Sequence, residues 1–350
     1  MDKVMTAAVL TRHGGPDTLE LRRDHPVPEP GPGRVLVRVR AAALNNTDIW
    51  TREGAYGRPG DPDARSGWRG PIAFPRVQGG DIAGVIAGVG PDLPADLIGG
   101  RVLVDPALYR DEGEHAPPVG LLGSEADGGF AEYVLVRADR VHQVADSPLS
   151  DAELACLPVA YGTAMGMLER GGIGPGETVL VTGASGGVGA ALVQLLAARG
   201  AHPIAMTTTA KESDVRALGA TGVVTRDAGD LADQIRAQAP HGLDAVADIA
   251  GGAAVNDLLP LIRDDGRWVI AGAVAGPTIH FDLRRLYLHN IGLIGSSMHT
   301  RPHFAELVTA ARAGAVRPPV AATFPLTAVH AAQRRFLERG HVGKIVLLPG

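Results

Sequence analysis

A chain of 350 residues with a formal net charge of −5 is long enough for two domains and has no global positive field to recruit nucleic acid or an anionic membrane surface. Its single cysteine, Cys156, excludes an intrachain disulfide and a cysteine-based zinc site; its apolar setting reads as a buried, inert thiol in a reducing, cytoplasmic compartment. No apolar run reaches the roughly 18 residues of a membrane span, and the N-terminus lacks the apolar core of a secretory leader.

The first half reads as β-rich. Residues 34–40 alternate apolar and polar, the period of a half-buried strand. Residues 81–90, 101–105 and 129–136 are further strands, punctuated by proline and glycine clusters such as 26–33. After about residue 150 the rhythm changes. A strand from Val179 runs into a glycine-rich turn, then into a helix over 190–199 that Gly200 stops. Strands at 203–206, 222–225, 243–248, 267–272 and 291–294 alternate with helices at 211–218, 230–237 and 253–261. Such alternation predicts right-handed βαβ units and a parallel sheet. A helix over 302–313, one more helix and a terminal strand at 344–348 complete the chain.

The turn is the sharpest chemical signal. Residues 179–189 read Val-Leu-Val-Thr-Gly-Ala-Ser-Gly-Gly-Val-Gly, an A-x-G-x-x-G pattern at Ala184, Gly186 and Gly189 with Ser185, Gly187 and Val188 between them. Strand, glycine turn and helix form the setting of a dinucleotide fingerprint, in which a helix N-terminus meets a pyrophosphate. The plainer alternative is a tight turn in an ordinary α/β domain. The next strand ends Ala205-Met-Thr-Thr-Thr-Ala-Lys211, with no acid before Glu212 to accept the ribose hydroxyls of NADH. Thr207, Thr208 and Lys211 suit a 2′-phosphate, which selects NADPH, although the usual arginine is missing. A threonine-capped helix start with a solvent-facing lysine is the competing interpretation.

Ala43-Leu-Asn-Asn-Thr-Asp48, Gly79-Gly-Asp-Ile-Ala-Gly84, Gly128-Gly-Phe-Ala-Glu-Tyr133, the 179–189 turn with Gln194, and Gly343-Lys-Ile-Val346 carry a resemblance that runs nearly end to end. Together they resemble the medium-chain dehydrogenase/reductase superfamily, specifically its zinc-free quinone oxidoreductase-like branch. The resemblance implies an α/β fold: a Rossmann doubly wound parallel sheet over 151–295 and a β-rich GroES-like catalytic domain over 1–150 and 296–350. It also implies a homodimer paired through residues 291–294. Zinc-dependent relatives place ligands where this chain has Asn45, Gly80 with Asp81, and Val159, so neither a catalytic nor a structural zinc is expected. None of the twelve histidines forms a close His-x-x-x-His pattern with an acidic partner.

The resemblance further implies site residues. Thr163 and Phe130 fall on the nicotinamide side, and Met298 lines the same pocket. Ala250 with Gly251, and Gly272 with Ala273, end parallel strands where ligands of open α/β sheets bind. Asn45 orients the substrate or a ribose, or is a turn residue; Asp48 serves a hydrogen-bond network or caps a helix. Tyr56 is the candidate donor to a substrate oxygen, or a surface aromatic, and Trp50 stands where a tyrosine is expected. Residues 58–71 look like an insertion, either a substrate lid or a plain surface loop. Without a Lewis acid, a conjugated carbonyl or quinone is the easier hydride acceptor. Enoyl-thioester reduction, with Arg65 and Arg69 meeting a cofactor phosphate, and a crystallin-like NADPH-binding protein with little turnover are the alternatives.

Overall fold

The computed structural model describes residues 3–57 and 66–350. Residues 58–65, and with them Arg65 and most of the expected insertion, lie outside the described residues. The chain divides into two compact units, Met1–Val159 with Thr300–Gly350, and Ala160–His299.

In chain order the elements begin with β1 (Val4–Leu10), β2 (Leu19–Pro26), β3 (Arg34–Ala43), α1 (Asn46–Glu53), β4 (Arg76–Val77), β5 (Ala83–Val89) and β6 (Arg101–Val104). They continue with β7 (Ala107–Tyr109), β8 (Pro118–Leu121), β9 (Tyr133–Arg137), β10 (Val141–Gln143), α2 (Asp151–Ala155) and α3 (Pro158–Arg170). Next come β11 (Thr178–Val181), α4 (Gly187–Ala198), β12 (His202–Thr207), α5 (Glu212–Ala217), β13 (Gly222–Thr225), α6 (Leu231–Gln238), β14 (Leu243–Asp248) and α7 (Val255–Leu258). The last are β15 (Ile262–Ile270), α8 (Arg284–Tyr287), β16 (Gly292–Gly295), α9 (Arg301–Ala313), β17 (Val320–Pro325), α10 (Val329–Leu337) and β18 (Lys344–Leu348).

The first unit is built on β3. It pairs antiparallel with β5, β9 and β18, and the sheet runs β10-β6-β5-β3-β18-β17. Its inward residues Val35, Val37 and Val39 alternate with outward Arg34, Arg38 and Arg40, and they join Ile82, Ile86, Val134 and Ile345 in one core. A three-stranded sheet of order β2-β1-β4 adds a second small core around Met5, Val9 and Val77. β9 starts at Tyr133 rather than Gly129. The preceding residues bridge neighbouring segments instead, with the Gly129 and Phe130 amides donating to Gly79 and Gln78.

The second unit holds a six-stranded, wholly parallel sheet of order β13-β12-β11-β14-β15-β16. Strands covered on both faces need no polar alternation, which explains the apolar runs 179–181 in β11 and 245–247 in β14. The order reverses between β11 and β14, the switch point where open α/β sheets receive ligands. α4 begins at Gly187, earlier than the Ala190 start anticipated from propensity. The glycines following Gly186 are its first turn, not a linker before it.

Candidate functional site

The β11–α4 turn is shaped by two glycines. Gly183 has φ of +57°, and a Cβ on Gly189 would lie 2.2 Å from the Gly183 carbonyl oxygen. The Ala184 amide donates to Met206 O of the neighbouring strand at 3.2 Å, tying the turn to β12. Ser185, Gly186, Gly187 and Val188 remain partly exposed at the head of α4, whose first amides have no partner within the helix. A Cβ on Gly186 would meet only Gly183 O, at 3.4 Å, so the backbone there is open to a close ligand. This cradle fits a pyrophosphate.

At the end of β12 the Thr207 hydroxyl is buried and has no hydrogen-bond partner among the described residues, which leaves it free to donate to or accept from a ligand. Thr208 precedes a short 3-10 turn but makes no side-chain cap, so its hydroxyl is not spent on the helix start. Thr209 is the threonine that is engaged: its amide and hydroxyl both reach Asp227, at 2.9 and 3.0 Å. Lys211 Nζ lies 3.5 Å from Ser185 Oγ. Its pKa is lowered by burial and then by the charge of Arg226, which follows β13. Arg226 is a second cation close enough to act on Lys211, and it stands outside the residues expected from the sequence. The signal was a lone basic residue directly after Thr225, which pairs with Thr207 across the two strands.

At the β14 end, Asp248 organises the backbone. Its Oδ1 accepts from Thr182 Oγ1 at 2.5 Å and from the Ala250 and Gly251 amides at 2.9 and 3.0 Å, and its Oδ2 accepts from Trp268 Nε1 at 3.1 Å. Gly272 packs backbone to backbone on this turn, since a Cβ would lie 2.3 Å from Ile249 O, and Ala273 follows it. Thr163 on α3 approaches Met298 Sδ at 4.0 Å. Met298 has φ of +55°, and its carbonyl accepts from Arg170 at 2.8 Å.

The first unit gathers a buried polar cluster. Asn45 sits immediately before α1, and Asp48 Oδ2 accepts its amide at 2.7 Å, so Asp48 does cap the helix end. Asn45 Nδ2 donates to Asp81 Oδ2 at 2.9 Å. Lys344, the first residue of β18, donates to that same oxygen at 2.8 Å and also to Asn45 Oδ1. Asp81 Oδ1 accepts the Val159 amide at 2.6 Å. Burial, opposed by the Asn45 and Gly79 backbone amides and by Lys344, raises Asp48 from 3.8 to about 7. Tyr56 donates to Thr47 Oγ1 at 2.8 Å, with Trp50 edge-on at 5.3 Å, and burial pushes its phenol upward. Phe130 is fully buried, its ring against Gly79, where a Cβ would come within 2.3 Å. Beyond residue 65, the Trp68 and Arg69 amides donate to Ser124 Oγ and Glu125 Oε1 at 2.9 and 2.8 Å.

Among the described residues no three His, Cys, Asp or Glu side chains are gathered as a metal site, and no helix is long and apolar enough to cross a membrane. Comparison with known proteins matches the alcohol dehydrogenase GroES-like domain over residues 31–146 and the zinc-binding dehydrogenase model over 187–313. A solved structure from Sinorhizobium meliloti 1021, assigned as an alcohol dehydrogenase, aligns at 45% identity with a TM-score of 0.96, covering 100% of this chain and 98% of that one. Human quinone oxidoreductase is 28% identical over 99% of this chain and 98% of its own length. Acryloyl-coenzyme A reductase of Metallosphaera sedula is 29% identical over 91% and 93%. A GroES-like domain joined to a Rossmann-like parallel sheet, matched end to end at this level, means that the chain belongs to the medium-chain dehydrogenase/reductase superfamily, oxidoreductases that work with a nicotinamide cofactor.

Proposed function

We propose that this protein is a zinc-independent, NADPH-dependent reductase that passes hydride to a quinone or to an α,β-unsaturated carbonyl. Residues 151–295 serve as its dinucleotide-binding domain, and 1–150 with 296–350 as its catalytic domain. The observation that carries the reading is the Lys344 ammonium between Asn45 and Asp81. With an ammonium there and no ligand set for zinc among the described residues, carbonyl polarisation falls to hydrogen-bond donors. A conjugated acceptor, whose charge spreads onto oxygen, then becomes the easier substrate. The similarity to quinone oxidoreductase supports the same substrate class.

NADPH supplies the hydride. The turn from Ala184 to Gly189 holds the pyrophosphate, and Ser185, Thr207, Thr208, Lys211 and Arg226 hold the 2′-phosphate. Thr163, Met298 and Phe130 face the nicotinamide, with Ala250, Gly272 and Ala273 along the nucleotide. Tyr56 donates a hydrogen bond to the developing oxyanion; burial pushes its pKa upward, so it acts as a protonated phenol. Asn45 and Asp48 hold the head of α1 on which Thr47 and Tyr56 depend. The protein acts in the cytoplasm as a homodimer paired along β16.

A second reading, reduction of an enoyl thioester, is favoured by the similarity to acryloyl-coenzyme A reductase and by Arg69, whose guanidinium stacks on Trp68 at 4.7 Å near the surface. Steady-state kinetics on quinones, enals and enoyl thioesters with each nucleotide test both. NADPH is expected to be preferred, and Lys211→Ala or Arg226→Ala to raise its KM about tenfold with little change for NADH. Equal use of NADH would refute the cofactor assignment, and turnover confined to thioesters would select the second reading.

A further inference from the structure

We infer that Lys344 is the resident cation of the enclosure formed by Asn45, Asp81 and the Val159 amide, that this enclosure does not take a metal ion, and that Lys344 is a positioning residue for Asn45 and the head of α1. The inference rests on the zinc-independent reading above and gives it an atomic cause.

The three metal positions of the zinc-dependent pattern do converge here, although they lie far apart in sequence. The Asn45 side chain and the Val159 amide both bond the Asp81 carboxylate, at 2.9 and 2.6 Å. Gly80 brings no ligating side chain, and a Cβ there would lie 3.2 Å from Leu122 O and 3.3 Å from Val159 Cγ2, so any side chain at that position would have to displace these neighbours. Each oxygen of the enclosure is engaged. Asp81 Oδ2 and Asn45 Oδ1 accept from Lys344, and Asp81 Oδ1 accepts from Val159. The ion pair is sealed, with side-chain exposures of 4% for Lys344 and 0% for Asp81. The thiol near enough to feel both charges, Cys156, is pushed upward by burial and donates to Ala152 O at 3.1 Å, so it offers no thiolate. A dication entering this space would meet an ammonium in a low-dielectric setting and displace it from its two acceptors. Lys344 supplies one positive charge and hydrogen bonds of fixed direction. It has no open coordination position with which to activate a substrate carbonyl.

The structure also fixes what is lost without the ammonium. A buried carboxylate would remain unpaired, and the Asn45 amide would lose its partner at Oδ1. The head of α1, held by the Asn45 amide on Asp48, would loosen with it.

Two measurements test this. Wild-type protein is dialysed against excess Zn²⁺ or Co²⁺, desalted and analysed for metal; less than about 0.1 equivalent is expected, and one retained equivalent would overturn the inference. In parallel, Lys344→Ala is assayed with and without n-propylammonium at about 50 mM, chosen as a mimic of the deleted buried cation. The variant is expected to melt lower and to lose about tenfold in quinone kcat, with NADPH affinity by fluorescence unchanged; propylammonium restores both losses and propanol restores neither. Equal rescue by propanol, or a variant indistinguishable from wild type, would also overturn it. If Lys344→Ala does not fold, the double variant Asp81→Asn with Lys344→Met, which removes both charges, is expected to fold and to gain nothing from propylammonium. Failure of wild type to reduce any quinone or enone would defeat the proposed function, while metal content and the rescue of melting temperature still decide the role of Lys344.

Discussion

Single residues in this protein carry chemistry that depends on what buries them. Asp48 is the clearest case, because burial raises its pKa from 3.8 to about 7. The folded state therefore prefers the neutral acid. The associated stability is intact below about pH 4 and is lost as pH rises through about 7, amounting at most to something on the order of 4 kcal/mol. Asp48→Asn keeps an oxygen for the Asn45 amide and removes the titration. The variant should gain stability relative to wild type between pH 5 and pH 8, by a few kcal/mol at most. Urea unfolding at the two pH values reads the difference directly; a gap independent of pH would show that Asp48 does not titrate there. The sequence let Asp48 be named but left cap and network open as alternatives. The cap is local, three residues from its partner. The network is not: Lys344 meets Asp81 across 263 residues and Asn45 across 299. A lone lysine at the head of an apolar terminal strand was the available signal.

At the scale of elements, the parallel sheet was legible and α3 was not. β13 and β14 fall where periodicity and turn residues predict them, because each buried run is bounded by breakers. α3 is buried along nearly its whole length, so the 3.6-residue alternation that reveals a surface helix is absent. Its interior glycines look like breakers but are packing requirements. A Cβ on Gly162 would lie 2.2 Å from His299 Nδ1, and one on Gly166 would lie 2.1 Å from Met298 O. β11, β14 and β15 are likewise joined by a group that periodicity does not reveal. Asp248 collects Thr182, Trp268 and two turn amides in one buried site. Asp248→Ala leaves those donors unsatisfied and is expected to cost roughly 3 to 5 kcal/mol. Because the Ala250–Gly251 turn would relax, NADPH affinity should weaken as well. Denaturant unfolding and nucleotide fluorescence check both, and a loss below about 1 kcal/mol would mean that the network is replaceable by water.

At the scale of the whole molecule, the net charge of −5 gives an anionic cofactor no help, which is why the proposed NADPH site calls on local cations, Lys211 and Arg226. The acidic balance equally leaves self-association to apolar surface. β16 ends the six-stranded sheet, bonded to β15 on one side. An edge strand of this kind is a template for pairing unless charge or a covering element blunts it. Beside the exposed Asp282, Arg284 and Arg285, this stretch of chain shows large apolar side chains: Leu283, Tyr287, Leu288 and Leu293 are exposed by 66%, 64%, 64% and 50%. Two copies related by a two-fold axis would pair β16 with β16 and cover these side chains on both at once. Light scattering is then expected to give about twice the 36.2 kDa of one chain. Leu288→Asp with Leu293→Asp should give the single-chain mass, because each dimer would otherwise bury four unpaired carboxylates. Both sites are exposed in the single chain, so the variant should keep its circular dichroism spectrum and bind NADPH within about twofold of wild type. A wild-type protein that runs as a monomer at micromolar concentration would refute the pairing, and a double variant that still pairs would place it elsewhere; either result leaves the apolar edge without this partner.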